Sequence, residues 1–151
     1  MLRQDDWHKS HLVTVGYNFG KEYGGHLASL MIMGCLANRV RRGWGSWADV
    51  INSIPKYSAE EVKPYILPSV WDQNFIRLLT EVDGVFEGSA KDMSCGAVYW
   101  CDNRRITRKW FLDEIVRSGH YEIVANMNSL TLYSPSRIVT AKEHAGIYGR
   151  L

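Results

Sequence analysis

The sequence lacks the features that define disulfide-stapled and membrane-spanning proteins. Its three cysteines are an odd number and include no CxxC pair, so we expect free thiols instead of a disulfide framework. The longest apolar run, Leu27 to Ala37, is too short to cross a bilayer. The first residues, MLRQDDWHKS, are polar and carry two adjacent acids, which predicts no secretory signal peptide. We therefore expect synthesis in the cytoplasm and no membrane span.

A strong excess of charge of one sign is missing as well. The formal net charge is +2 and the sequence pI is about 8.4, far from the concentrated Lys/Arg field of a nucleic-acid-binding protein. We expect no nucleic-acid partner. What is present is ordinary for a globular domain, with 46% hydrophobic and 23% charged residues. A chain of 151 residues is long enough to form one domain with a substantial core.

The common motifs of metal, nucleotide and serine chemistry do not occur. His8 and His11 are three residues apart, but no third ligand follows at a useful spacing and there is no HExxH motif. There is no GxSxG motif, and GWGSW lacks the Lys-Ser/Thr pair of a phosphate-binding loop. We expect no metal and no cofactor. Cys95 and His120 are a candidate thiolate–imidazole pair of a cysteine peptidase or amidase, with an incidental cysteine as the favoured alternative.

Apolar periodicity and turn residues predict a mostly helical α+β domain with a small β element. The second helix is apolar nearly all round, which indicates a central, buried helix. The predicted helices cover about 5–20, 25–42, 46–55, 71–86 and 107–118, and the predicted strands cover 96–101 and 122–133, the second as a strand or a short hairpin. The residues from Ser134 onward have little apolar content. We therefore expect a domain over residues 1–133 and an extended C-terminal tail over residues 134–151.

Glu22 is the only carboxylate between the first predicted helix and the end of the second. Cleavage of a glycosidic bond needs a carboxylic acid that delivers a proton to the leaving oxygen. A Glu at a helix end, beside the glycines Gly24 and Gly25 and against an apolar helix, meets that requirement. On spacing alone, a solvated surface acid beside Lys21 is the favoured alternative.

Six tryptophans and eight tyrosines make the chain rich in aromatic residues. Aromatic faces bind sugars by stacking, and a groove lined by several of them would suit a polysaccharide. The candidates are Trp44, Trp47, Trp71 and Trp100. For any single tryptophan, a core position is the favoured alternative, because tryptophans fill the interior of most compact domains.

An ordered set of segments gives the chain a resemblance to a known family. Glu22 precedes a helix that ends in Asn-Arg-Val and is followed by a short turn with a Val-Ile pair. A later segment contains Gly, Asp and the pattern GA.Y, and a late strand ends in an aromatic residue. The segments are LANRV at 36–40, GWGSWADVI at 43–51, VFEGSAKDMSCGAVYW at 85–100, WFLDEIV at 110–116 and ANMNSLTLY at 125–133. This order resembles the SleB-type cell-wall hydrolases, which include spore cortex-lytic enzymes and phage-borne relatives.

The resemblance implies a lysozyme-like α+β fold and cleavage of peptidoglycan glycan strands by a lytic transglycosylase mechanism with one catalytic acid, Glu22. It implies supporting roles in substrate binding for Asn38 and Tyr99, and the aromatic candidates Trp44 and Trp100 would line the cleft. Arg39 would pair with a carboxylate such as Asp49 or Glu81.

The chain also departs from the family pattern. Relatives usually carry two acids around the first turn, and a histidine before the aromatic residue of the late strand, whereas this chain has one acid and no such histidine. These departures motivate an alternative: a non-catalytic phage structural or assembly protein whose tail, residues 134–151, binds a neighbouring virion protein. In both hypotheses the protein is carried in a phage virion or released at lysis.

Overall fold

The computed structural model describes residues 4–148. The chain forms six helices and three strands within that range, with the 3₁₀ turn Lys21–Tyr23 between the first two helices. The helices are α1 (Gln4–Gly20), α2 (His26–Arg41), α3 (Trp47–Asn52), α4 (Gln73–Glu87), α5 (Lys109–Phe111, extended by a π-helical turn over Leu112–Val116) and α6 (Ala141–Tyr148). The strands are β1 (Tyr99–Asp102), β2 (Tyr121–Met127) and β3 (Leu130–Pro135). Within these residues no helix combines the length and the apolarity needed to cross a membrane.

The predicted α+β class is confirmed, with about 50% helix, 12% strand and one small antiparallel sheet. Helix α2 is the central helix, as its apolar sequence predicts, and its residues from Ala28 to Arg39 are buried with the exception of Leu30. Helix α1 packs closely on α2 because Gly16 and Gly20 have no side chains to separate them. The hydroxyl of Tyr17 donates to Asp72 Oδ2 over 2.8 Å and ties α1 to the start of α4.

The sheet has the strand order β1-β3-β2, and both pairings are antiparallel. Strands β2 and β3 form the predicted hairpin, and its turn contains Asn128 in the left-handed conformation at φ 55°. Tyr99 in β1 faces Tyr133 in β3. Beside the main core, which surrounds α2, the sheet and α5 enclose a second core that is rich in aromatic side chains. Both faces of β3 are covered, since its residues from Leu130 to Ser134 are all buried.

The expectation of an extended C-terminal tail is wrong for the residues that the structure describes. Ser134 and Pro135 complete β3, and residues 141–148 form α6. The imidazole of His144 stacks on Trp44 at 4.4 Å and on Tyr57 at 4.1 Å between ring centroids. The sparse apolar residues of this region suffice because one buried aromatic ring anchors the helix. The last part of the predicted tail, 149–151, lies outside the described residues.

Candidate functional site: the groove beside Glu22

Glu22 lies in the 3₁₀ turn that separates α1 from α2. Gly24 and Gly25 follow with φ values of 98° and 94°, a region of backbone space that favours glycine. They reverse the chain direction so that α2 starts beneath the turn. The Glu22 side chain is 41% exposed and points along the surface instead of into the core.

Glu22 forms part of the wall of an open groove of about 120 Å³, which we call the Glu22 groove. One side is the end of α1 with the 3₁₀ turn, and the other is the irregular segment from Glu60 to Ile66. The lining residues are Asn18, Phe19, Lys21, Glu22, Tyr23, the residues 60–66 and Arg105. Asn18 holds the two sides together, since its Nδ2 donates to Ile66 O over 2.9 Å and its Oδ1 accepts from Ile66 N over 2.8 Å.

Aromatic rings line part of the Glu22 groove, one on each side. Phe19 contacts the ring of Tyr65 edge-on at 6.2 Å between centroids and the ring of Trp100 at 5.3 Å. Tyr65 remains 39% exposed, so part of its ring is open to a ligand. Burial of the rest raises the pKa of its hydroxyl, which therefore stays a hydrogen-bond donor.

Arg105 forms a short ion pair with Glu22. Its Nη2 lies 2.6 Å from Glu22 Oε2 and 2.9 Å from Asp102 Oδ2, so one guanidinium bridges two carboxylates. Hydrogen bonds to Glu22, to the hydroxyl of Tyr23 and to Asp102 raise the pKa of Arg105, which stays charged at every accessible pH.

Asp102, at the end of β1, holds Arg105 in place through their ion pair. Its side chain is only 1% exposed. Burial by itself would raise the pKa of Asp102, but hydrogen bonds from the side chain and backbone of Arg104 and from Arg105 outweigh burial and hold it well below its usual range. The hydroxyl of Tyr23 also donates to Asp102 over 3.1 Å. The side chain that holds Glu22 is thus itself fixed by a buried, ionised acid.

Four side chains predicted to bind substrate are buried instead, and none of them lines the Glu22 groove: Asn38, Trp44, Tyr99 and Trp100. Of the other aromatic candidates, Trp47 stacks on Phe86 and Trp71 is exposed, and neither lines the groove. Asn38 Nδ2 donates to Asp92 Oδ2, to Ser94 Oγ and to Ala97 O, which fastens the loop before β1 to α2. These three hydrogen bonds give Asn38 a structural role.

The aromatic residues predicted to bind substrate also have structural roles in the core. Trp44 Nε1 donates to Val139 O over 2.9 Å, and the hydroxyl of Tyr99 lies 2.5 Å from His144 Nδ1. Trp100 is buried behind Phe19, so it supports the groove wall without reaching the groove. The rings of Trp44, Tyr99 and Trp100 are buried in the core, where they cannot stack on a sugar.

Arg39 is fully buried and does not pair with either predicted carboxylate. Its Nε donates to Val98 O over 2.7 Å, and its guanidinium lies over the rings of Tyr99 and Trp100 at 5.1 and 5.2 Å. Glu81 pairs with His26 instead, at 3.0 Å. Burial lowers the pKa of Arg39 from its ordinary value.

The residues that the structure describes form neither the thiolate–imidazole pair nor a metal site. Cys95 is exposed in a turn, and its backbone N–H donates to Asp92 O, while His120 Nδ1 accepts from Arg137 Nε. In the part of the chain that the structure describes, no group of three or more His, Cys, Asp or Glu side chains is arranged to hold a metal ion.

The residues that surround Glu22 were not predicted from the sequence, above all Arg105, Asp102 and Asn18. A signal was present for two of them, because the segment DNRR places an acid and two arginines directly after a predicted strand. Nothing in the sequence indicated that this segment meets a turn 80 residues earlier.

Comparisons with known proteins add no assignment. No protein-family model, no curated protein and no solved structure matches this chain. The resemblance to SleB-type hydrolases therefore stands on the ordered sequence segments alone.

Proposed function

We propose that the protein cleaves the glycan strands of peptidoglycan in the Glu22 groove, with Glu22 as the catalytic acid. The observation that carries the proposal is the position of Glu22: an exposed carboxylate at a helix break, on the wall of an open groove whose other side has an accessible tyrosine ring. Sugar rings pack on aromatic faces, and the acid lies where a bound glycan would pass. The family resemblance supports the same assignment.

The proposed reaction is that of a lytic transglycosylase. Protonated Glu22 gives its proton to the glycosidic oxygen, and the bond from that oxygen to the anomeric carbon breaks. The resulting carboxylate takes the proton of the muramyl 6-hydroxyl, whose oxygen attacks the anomeric carbon and closes a 1,6-anhydro ring. No water is consumed and the acid regains its proton. One carboxylate suffices, in contrast to glycosidases that use a pair of acids.

The ion pair with Arg105 sets a condition on this mechanism. Glu22 becomes a proton donor only after its Oε2 leaves the guanidinium and the groove loses water to bound glycan. Asp102 retains Arg105 during that change, because it also accepts from Arg105 Nε over 2.9 Å. Arg105 thus holds the Glu22 side chain in the free protein, and the bound strand displaces the carboxylate from the guanidinium.

The test is product analysis on purified peptidoglycan. Wild-type protein is expected to release anhydromuropeptides, detected by mass spectrometry, and Glu22→Gln is expected to release none because an amide cannot deliver a proton. Glu87→Gln is the matched control, since Glu87 is an exposed acid at the end of α4 and outside the groove. Equal product from wild type and Glu22→Gln contradicts the role of Glu22. No product from wild type on any wall tested contradicts the activity.

A second candidate function is a non-catalytic structural or assembly role in a phage virion. Its specific support is an apolar surface beside the groove: Leu67, Val70 and Trp71 are 83%, 71% and 82% exposed. Clustered exposed apolar side chains are typical of protein–protein interfaces. This surface replaces the tail as the binding element of the hypothesis, because α6 uses His144 and Ile147 for the core.

The structural role predicts that Trp71→Asp lowers incorporation of the protein into virions at least tenfold, while a matched change at another exposed tryptophan, Trp7→Asp, does not. Incorporation is measured by quantitative mass spectrometry of purified particles. Equal incorporation of both variants would argue against an interface at this surface. Loss of incorporation in the Trp71 variant together with unchanged peptidoglycan cleavage would separate the two functions.

A further inference from the structure

A second cavity, of about 370 Å³, shares no lining residue with the Glu22 groove. It is formed by α2, by α4 and by the loop from Ala90 to Met93. Its volume falls within the range of small-molecule sites, which is about 300 to 1,000 Å³. We call it the α2–α4 cavity.

Part of the lining of the α2–α4 cavity is apolar or lacks side chains. Leu30, Val85 and Met93 supply apolar surface, and each is only partly buried although it packs on the main core. Gly34 on α2 and Gly84 on α4 contribute no side chain. A Cβ at Gly84 would already lie 3.0 Å from the Cβ of Ala90, so a larger residue at position 84 would crowd this wall.

The acids that line the cavity are satisfied within the protein. Glu81 accepts from His26 Nε2 over 3.0 Å and pairs with Arg77 at 3.6 Å. The carboxylate of Asp92 accepts from Asn38 Nδ2 and from the backbone N–H groups of Ser94 and Gly96, each over 2.9 Å. These hydrogen bonds hold the pKa of Asp92 below its usual range although burial alone would raise it.

The cations that line the cavity are not neutralised. Across residues 4–148, neither Arg41 nor Lys91 forms a salt bridge. Arg41 Nη2 donates to Val85 O over 2.8 Å and its Nη1 donates to Asn38 Oδ1 over 3.3 Å. These neutral acceptors fix the guanidinium at the cavity and leave its charge uncompensated. The site therefore combines apolar surface with two cations, Arg41 and Lys91, that form no salt bridge.

We propose that the α2–α4 cavity binds a small amphipathic anion, with a carboxylate head at Arg41 and Lys91 and an apolar body against Leu30, Val85 and Met93. A volume of about 370 Å³ holds roughly a dozen non-hydrogen atoms at about 30 Å³ each. A ten-carbon fatty acid has that size. This site is independent of the Glu22 groove and of the activity proposed there.

The test is calorimetric titration of the full chain with decanoate below its micelle concentration. We expect saturable binding of one decanoate per chain, weakened at least tenfold in Lys91→Gln and in Arg41→Gln, because each removes a charge-assisted contact. Arg42→Gln, an exposed arginine next to Arg41 and outside the cavity, is the matched control and is expected to bind as wild type does. Lys91 is exposed and makes no hydrogen bond or salt bridge among the described residues, so its variant keeps the result readable if Arg41→Gln fails to fold.

Two further ligands test the contributions of the anionic head and of the apolar body separately. Decanol is expected to bind at least tenfold more weakly than decanoate, and inorganic phosphate more weakly still. Gly84→Leu is expected to abolish decanoate binding because its side chain fills the cavity. The proposal is overturned if decanol binds as tightly as decanoate, if phosphate competes equally, if Lys91→Gln and Arg42→Gln bind alike, or if decanoate does not bind.

Discussion

Acidification from about pH 6.5 to about pH 4.5 is expected to lower the free energy of unfolding by about 2 kcal/mol, chiefly through His144. A group that binds a proton in the unfolded chain and not in the folded chain changes stability by about 1.4 kcal/mol per pH unit. Burial, and then the positive charges of Arg39 and Lys56, lower the pKa of His144 to about 3 in the folded protein. In the unfolded chain the pKa of a histidine is about 6.5.

The surroundings of His144 explain why the folded protein resists its protonation. The ring is buried between Trp44 and Tyr57, and its Nδ1 faces the hydroxyl of Tyr99. Burial holds the pKa of Tyr99 well above its usual range, so the hydroxyl keeps its proton and shares a hydrogen bond with Nδ1 of the neutral imidazole. A protonated ring would place a second cation near buried Arg39.

The sign follows from the two protonation states. Between about pH 6.5 and pH 3 the unfolded chain binds more protons than the folded chain, so stability falls as pH falls and is complete above about pH 6.5. Four carboxylates also have lowered pKa values, but they begin to matter only near their ordinary values of about 4 to 4.5: Asp72, Asp92, Asp102 and Glu143. The window above about pH 4.5 therefore reports mainly on His144.

Urea unfolding at half-unit pH steps measures this dependence. His144→Phe keeps a ring between Trp44 and Tyr57 but does not titrate, so we expect its unfolding free energy to be nearly flat between about pH 6.5 and pH 4.5. His11→Asn, at an exposed histidine, is the control and should retain the wild-type slope. An equal slope in wild type and His144→Phe would show that other groups cause the acid sensitivity.

Gly20→Ala is expected to destabilise the protein by about 3 kcal/mol, at the upper end of typical overpacking effects. A Cβ at this position would lie 2.5 Å from the backbone N and 2.7 Å from the Cα of Ser29, where α1 crosses α2. Backbone atoms of a central helix cannot rotate away, so the helices must separate. The φ of Gly20 is −72°, which alanine adopts freely, so crowding alone accounts for the loss.

Gly146→Ala is the matched control for that prediction, because Gly146 also lies in a helix and its Cβ would meet nothing within 4 Å. Alanine is favoured over glycine in a helix, so we expect no loss and a gain of up to about 1 kcal/mol. Thermal unfolding of both variants against wild type gives the comparison. Equal melting temperatures of Gly20→Ala and wild type would mean that α1 and α2 separate at little cost.

Several local elements were predictable because their causes lie within a few residues of one another. The continuous apolar surface of 27–37 predicts a central helix regardless of its partners, and α2 is that helix. Ser46 and Asp49 satisfy each other's backbone N–H groups in the capping box that their spacing indicates. The hairpin around Asn128 follows from alternating strand residues on either side of a turn residue.

The candidate site was predictable only in part. The sequence places Glu22 at a break between two helices, and the structure has it there, on a groove wall. Spacing could not distinguish a free acid from one held by Arg105, because the two residues are 83 positions apart and meet only where β1 ends beside the 3₁₀ turn. The same limit applies to Tyr99, because its hydroxyl forms a hydrogen bond with His144, 45 positions later in the chain.

By itself, then, the sequence determined the class of fold, the central position of α2 and the location of one acid at a helix break, since periodicity, caps and glycines act over single turns of the chain. Only the tertiary structure decided that Arg105 and buried Asp102 hold this acid, that α6 is docked through His144, and that three of the predicted substrate-binding aromatics lie in the core. These three are Trp44, Tyr99 and Trp100. Each of these depends on charges and rings brought together from distant segments, and the free energy of burying them is decided by neighbours that no local pattern encodes.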